Sequence, residues 1–169
     1  DADGDSLTYS ISGSEINISS SGTLTFASAP DRETKDSYTA TVTVSDGTNS
    51  TTQSITVNVT NVNDNAPVIT SSSIFSANEN QTSIGTVTAT DADGDDITYS
   101  ISGSDITINS SSGVIAFASA PNYETTTSYS ATVTASDGTN TPSQSITINI
   151  TNVNEPPVIS NLANNISSD

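Results

Sequence analysis

Apolar and polar residues alternate with a period of two along most of the chain, as they do in half-buried β-strands whose successive side chains point to opposite faces. Leu7, Tyr9 and Ile11; Ile16 and Ile18; Leu24 and Phe26; Tyr38, Ala40, Val42 and Val44; and Ile55, Val57 and Val59 mark five such runs. A second set follows at Ile97, Tyr99 and Ile101; Ile106 and Ile108; Ile115 and Phe117; Tyr129, Ala131, Val133 and Ala135; and Ile146, Ile148 and Ile150. Two more strands are predicted ahead of this second set, around 68–74 and 84–90, which brings it to about seven strands, the number of a small sandwich. No segment keeps a helical period for longer than a turn. Glycines 13, 22 and 47, and their counterparts 103, 113 and 138, fall where the chain must reverse.

The two sets are copies of one unit. DADGDSLTYSISGS at 1–14 returns as DADGDDITYSISGS at 91–104, and FASAPDRET at 26–34 returns as FASAPNYET at 117–125. A period near 90 residues fits one sandwich domain, so the predicted fold is all-β, a tandem of antiparallel Greek-key sandwiches of immunoglobulin-like type. The expected domains are a repeat at 1–66 lacking its first two strands, a complete repeat at 67–157, and the opening of a third at 158–169, where Val158 and Ile159 match Val68 and Ile69. A sandwich short of two strands exposes an apolar face and unpaired edges. Either a poorly ordered first repeat or strand exchange with another copy, through its 158–169 tail, is therefore expected.

Composition narrows the function. Nineteen acids against Lys35 and Arg32 give a net charge of −17, which repels nucleic-acid phosphates and anionic membranes and attracts cations. Cys is absent, so disulfides, thiolate metal sites and cysteine nucleophiles are excluded. No apolar stretch approaches the roughly 20 residues of a membrane helix and no signal peptide is recognisable, so the chain is expected to be an internal piece of a larger protein. A chain so poor in Lys and free of Cys is read as bacterial.

All of the acids except Glu15, Asp36, Asp105 and Asp169 sit in short clusters at strand ends. Charge serving only solubility would be spread along outward positions and mixed with Lys. Two carboxylates 4 Å apart repel by about 4 kcal/mol at an effective dielectric near 20, so such clusters recruit a counter-charge. Ca²⁺ suits them, because it accepts about six to eight carboxylate, amide and carbonyl oxygens in tolerant geometry. Zinc would ask for His or Cys, and neither is present. An EF-hand reading fails: counted from Asp91, Gly94 comes two residues too early and Ser102 stands where the closing Glu belongs. Catalysis by a carboxylate pair is not expected, since each cluster already has a Ca²⁺ explanation and there is no Trp to form a sugar platform. The alternative to a structural module is a Ca²⁺-dependent carbohydrate-binding module, with Tyr123 as the aromatic beside a candidate site.

Four motifs together resemble one family. Asp31-Arg32-Glu33 is similar to the acidic mid-repeat motif of cadherin repeats, Asn61-Val62-Asn63-Asp64-Asn65 before Ala66-Pro67 to their linker, Asp91-Ala92-Asp93 to their DxD, and Asp137 to their later Asp. Among cadherin repeats, the chain resembles the cadherin-like repeats of very large bacterial surface adhesins. The resemblance implies Ca²⁺ at the junction of the two repeats, held by Glu33, Asp64, Asp93 and the carbonyl of Val62, with Asp31 at the outer edge. It implies a further ion among Asn63, the carbonyl of Asn65, Asp91, Asp93 and Asp137. Incomplete junctions are implied at both ends: Asp1, Asp3 and Asp46 at the first, and Glu79, Asn122, Glu124, Asn154 and Glu155 at the second. Departures weaken the pattern, since Asn61 stands at the linker's first Asp and Asn122 replaces the acid of Asp31. The second linker is also one residue shorter, with Glu155 for Asp. The implied function is a Ca²⁺-rigidified spacer or adhesive arm of a cell-adhesion protein, extracellular or on the cell surface of a membrane-associated parent. Its partners would be calcium ions, neighbouring repeats and a protein or glycan ligand.

Overall fold

The structure, a computed structural model, describes residues 2–157; Asp1 and the 158–169 segment lie outside the described residues. The chain divides into two compact units between Asp64 and Asn65. Every regular element among the described residues is a β-strand.

Unit 1 contains β1 (Thr8–Ile11), β2 (Ile16–Ile18), β3 (Leu24–Phe26), β4 (Ser37–Ser45) and β5 (Ser50–Asn58). Its sheets are β1-β4-β5 and β2-β3, all antiparallel, with Tyr9 opposite Val44 and Ile16 opposite Phe26. Only Ile16 and Ala40 are buried among its apolar residues, and Leu24 is 39% exposed.

Unit 2 contains β6 (Val68–Ile69), β7 (Ile74–Asn78), β8 (Ser83–Thr86), β9 (Ala89–Thr90), β10 (Thr98–Ile101), β11 (Ile106–Ile108), β12 (Val114–Phe117), β13 (Ser128–Ser136) and β14 (Ser143–Thr151). The five strands shared with unit 1 keep their register, for example Tyr99 opposite Ala135 and Ile106 opposite Phe117. The added strands complete a sandwich of the sheets β10-β13-β14-β7 and β11-β12-β8, with β6-β9 beside them. Ile146, Ile148 and Ile150 alternate inward on β14, Ile115 and Phe117 on β12, and the two sets meet in one core with Val133, Ala77 and Val87. Ile115, the counterpart of Leu24, is fully buried.

Two expectations need correction. The sandwich is not wholly antiparallel, because β7 runs parallel to β14, with Phe75 opposite Ile148 and Ala77 opposite Ile150. The two strands expected around 68–74 and 84–90 are four shorter ones. Ser72 breaks the first, its hydroxyl accepting from the Ile74 amide at 3.0 Å and donating to the Ile74 carbonyl at 2.9 Å. The second changes partner between Val87, whose amide donates to the Gly113 carbonyl in the β8–β12 register, and Thr88, whose carbonyl accepts from the Thr70 amide in the β6–β9 register.

Candidate metal site

In unit 2 the segment Asp91–Asp95 folds back on itself. The Asp91 Oδ1 accepts the amides of Asp93 and Asp95 at 3.0 and 3.2 Å, a loop that Gly94 permits with φ of +81°. The turn gathers carboxylate oxygens of Asp91, Asp93 and Asp95 within 4.8 Å of one another. Asp93, 7% exposed, is held from a second direction by Asn65, whose amide donates to Oδ2 at 2.8 Å and whose Nδ2 donates to Oδ1 at 3.0 Å. The remaining oxygens of the other two acids are different: Asp91 Oδ2 and Asp95 Oδ2 are buried and have no hydrogen-bond partner. Burying an ionised oxygen without a partner costs several kcal/mol, about what an ionic or metal contact would return. Burial, and after it the charges of Asp91, Asp93, Asp137 and Asp96, push the Asp95 carboxyl above its ordinary range.

Asp137 closes this side of the unit. It caps the turn after β13 by accepting the amides of Thr139 and Asn140 at 2.7 and 2.5 Å and the Asn140 Nδ2 at 3.0 Å. Asp46 caps the equivalent turn of unit 1, accepting Thr48 and Asn49 amides at 2.7 and 2.6 Å. Those amides hold Asp46 below the usual carboxylate range.

The mid-repeat acids also cap turns. Asp31 accepts from the Thr34 hydroxyl at 2.9 Å and from the amides of Thr34 and Glu33 at 3.2 and 3.0 Å. Asn122 does the same for Thr125, at 3.1 Å to the amide and 3.3 Å to the hydroxyl, which explains why an amide can stand where unit 1 has an acid. In unit 1, Arg32 donates to the Asn61 side chain at 3.1 Å and lies 3.9 Å from Glu33. Glu33, Val62 and Asp64 are exposed in unit 1, and Asn63 is half-buried there.

The opposite end of unit 2 is organised by Glu79, 2% exposed, whose two oxygens accept the amides of Val153 at 2.8 Å and Tyr123 at 2.9 Å. Beside it Asn80, at φ of +62°, donates to Glu155 at 2.6 Å, and Asn152 donates to Glu124 at 3.3 Å. Asn154 is exposed. Asp3, at the first incomplete junction, is exposed as well, and Asp1 lies outside the described residues.

Glu79 has a pH consequence of its own. The Val153 and Tyr123 amides hold it below the ordinary glutamate value of 4.5. A depressed folded value contributes stability that is complete above the unfolded value and lost as pH falls through the folded one. Unit 2 is therefore expected to weaken on acidification below about pH 4.5, and Glu79→Gln to flatten that limb of its pH–stability curve. Urea unfolding across that range checks it.

Sequence reasoning set Asp95 aside from the ligand set. The available signal was the i, i+2, i+4 spacing of DADGD, which brings the third carboxylate to the first two only because Gly94 adopts a left-handed turn.

Comparison with known proteins bears on unit 2 first. Residues 73–153 match the cadherin domain family. No curated protein matches the chain. Among solved structures, a cis-dimer of protocadherin gammaB7 repeats EC3-6 is similar at 29% identity and TM-score 0.73, with 87% of this chain and 40% of that one covered. The chain thus spans about two fifths of that relative's length. Human protocadherin-24 EC1-2 superposes at TM-score 0.72 with 24% identity over 91% of this chain and 85% of that one. Mouse cadherin-23 EC22-24 superposes at 0.75 with 22% identity over 88% and 53%. At these last two identities the likeness is one of fold, and the fold is the cadherin-like sandwich.

Proposed function

We propose that the chain is a Ca²⁺-binding, non-catalytic pair of cadherin-like repeats that serves as a spacer or adhesive arm of an extracellular or cell-surface protein. The observation that carries this reading is the pair of buried, partnerless oxygens on Asp91 and Asp95, set beside Asp93 in one turn of unit 2. A hard divalent cation fits them: the donors are all oxygen, each is anionic, and nothing nearby offers nitrogen or sulfur. Asp91, Asp93, Asp95 and Asp137 would hold the ion on the unit 2 side, where it would neutralise mutually repelling carboxylates and fix the turn between β9 and β10.

The proposed ligand set of unit 1 comprises Asp31, Glu33, Asp64 and the Val62 and Asn63 positions, and that of unit 2 includes Asn65. Glu79, Glu124, Asn122, Asn154 and Glu155 form a weaker set at the far end of unit 2, because Glu79 already spends both oxygens on backbone amides. Extracellular placement draws on similar structures, one of which is described as the extracellular domain of protocadherin gammaB4 at 29% identity. A bacterial source is proposed from a composition poor in Lys and free of Cys, and an adhesin parent from the likeness of the four motifs to cadherin-like repeats of bacterial surface adhesins. The glycan alternative loses its platform in Tyr123, which packs against the core of unit 2.

Amide chemical-shift mapping tests the proposal. Ca²⁺ is expected to move Asn65, Asp91–Asp96 and Asp137–Asn140 in a saturable way, with Mg²⁺ weaker because it demands smaller, octahedral coordination. Shifts spread equally over isolated acids such as Asp105 would show a diffuse ion atmosphere and defeat the reading.

A further inference from the structure

The two units differ in one charge set into an otherwise shared frame. In unit 1 the Lys35 Nζ donates to both oxygens of Glu15 at 2.6 Å and lies 4.4 Å from the centroid of the Tyr38 ring. The ammonium is thus held between a carboxylate and an aromatic ring, the two groups that attract a cation most directly at a surface. The frame recurs in unit 2. The carbonyl of Asp105, counterpart of Glu15, accepts the Ala118 amide at 2.8 Å, as that of Glu15 accepts the Ala27 amide at 2.8 Å. Tyr129, counterpart of Tyr38, keeps the same neighbour, its ring centroid 5.1 Å from that of Phe117 against 5.0 Å between Tyr38 and Phe26. The Lys35 amide donates to the Asp31 carbonyl at 2.9 Å, and Thr126 at the same position donates to that of Asn122 at 3.0 Å. What unit 2 lacks is the cation, because Thr126 replaces Lys35. In its place lies a cleft of about 280 Å³ bordered by Asp105, Ala118, Pro121, Asn122, Thr126 and Tyr129. Asp in place of Glu shortens the carboxylate arm by a methylene and widens the opening. The chain's two basic side chains are both engaged in unit 1, Lys35 with Glu15 and Arg32 with Asn61 and Glu33, so neither fills this cleft.

We propose that this cleft docks a lysine side chain of a partner protein, whose ammonium takes the place that the Lys35 Nζ has in unit 1. Asp105 supplies the counter-charge and Tyr129 the ring, while Ala118 and Pro121 offer an apolar wall for the alkyl stem. A primary ammonium is favoured over a guanidinium because unit 1 shows one seated between the same two kinds of group. Ca²⁺ is a poor occupant, since a single carboxylate falls far short of the oxygen ligands it requires. The net charge of −17 draws basic partners to the whole surface, and the ring beside Asp105 is what gives this cleft its preference. The inference does not rest on the Ca²⁺ reading: no acid of the Asp91–Asp95 turn borders the cleft, and Asn122 is the one residue it shares with the weaker set at the far end of unit 2.

The test titrates the full chain with Nα-acetyl-lysine methylamide and follows backbone amide and tyrosine ring shifts. Saturable shifts are expected at Asp105, Thr126 and Tyr129, with a midpoint on the order of 10–100 mM, as befits one exposed ion pair and one ring contact. Asp105→Asn is expected to weaken binding about threefold or more. Thr126→Lys is expected to abolish it, because the chain's own ammonium then fills the cleft, and the introduced ε-methylene protons should move upfield as those of Lys35 do over Tyr38. The uncharged norleucine analogue of the probe should give no response. The absence of saturable shifts at several times the expected midpoint, an equal response to the norleucine analogue, or an unchanged titration in Thr126→Lys overturns the proposal. A stronger response to the arginine analogue makes the cleft a guanidinium site and overturns the lysine assignment. The midpoint should be the same in chelator and in about 10 mM Ca²⁺, so that a failure of the Ca²⁺ reading leaves this one standing. Displacement of the probe by Ca²⁺ would seat it on the acidic turns and count against the cleft.

Discussion

Asp95→Asn is expected to change the sign of its effect on unit 2 with the metal content of the solution. Without divalent cations the charged form of Asp95 is penalised, first by burial and then by Asp91, Asp93, Asp137 and Asp96, so its folded value lies above its unfolded one. A carboxyl raised in this way makes the fold less stable at neutral pH than an uncharged residue would, and the penalty fades as pH falls through the raised value. Asn removes the charge and keeps the size, so in chelator the variant melts higher than the parent. Saturating Ca²⁺ reverses the ranking, because the parent now gains a charged ligand that the variant lacks. The variant should bind Ca²⁺ about tenfold or more weakly, at least the loss typical of disturbing a metal's supporting residues. Thermal unfolding in chelator and in about 10 mM Ca²⁺, above the range of extracellular modules, reads both signs. A variant less stable in both solutions would mean that the Asp95 carboxylate has a structural partner and no ion to hold.

Gly113→Ala is the second large effect, and it distinguishes the two repeats. At φ of +68° a Cβ on Gly113 would sit 2.2 Å from the Val87 carbonyl oxygen, and backbone cannot yield as a side-chain tip can. The expected cost is about 4 kcal/mol or more, at the far end of single substitutions. Its counterpart Gly22 has φ of +82°, but a Cβ there meets only the Tyr9 ring edge, at 3.3 Å. Gly22→Ala should therefore cost about 1–2 kcal/mol, the ordinary penalty of a left-handed alanine. Urea unfolding of the two variants measures the difference.

The strands shared by both repeats were readable because each buries one face, and a period of two places Tyr99, Ile101, Ile146, Ile148 and Ile150 without reference to anything distant. The parallel pairing of β7 with β14 was not readable: it joins residues more than seventy apart, and alternation within a strand carries no information about its neighbour. The break of 68–90 into four strands depends on the Ser72 side chain, whose local bonds to Ile74 compete with the ladder, and on the switch from Gly113 as partner of Val87 to Thr70 as partner of Thr88, a distant pairing that alternation does not encode. Within the candidate site, Asp91, Asp93 and Asp137 stood out through their motifs. Asp95 did not, because its role depends on the backbone sign of Gly94. The same limit applies to Asp31 and Asn122, whose turn-capping bonds show why one repeat tolerates an amide where the other has an acid.

Calorimetric titration of the chain with Ca²⁺ tests the central claim most directly. Saturable binding with a midpoint near roughly 10⁻⁴–10⁻³ M is expected, weakened in Asp95→Asn and unchanged in Asp105→Asn. No saturable heat up to about 10 mM Ca²⁺, or equal losses in the two variants, would contradict it.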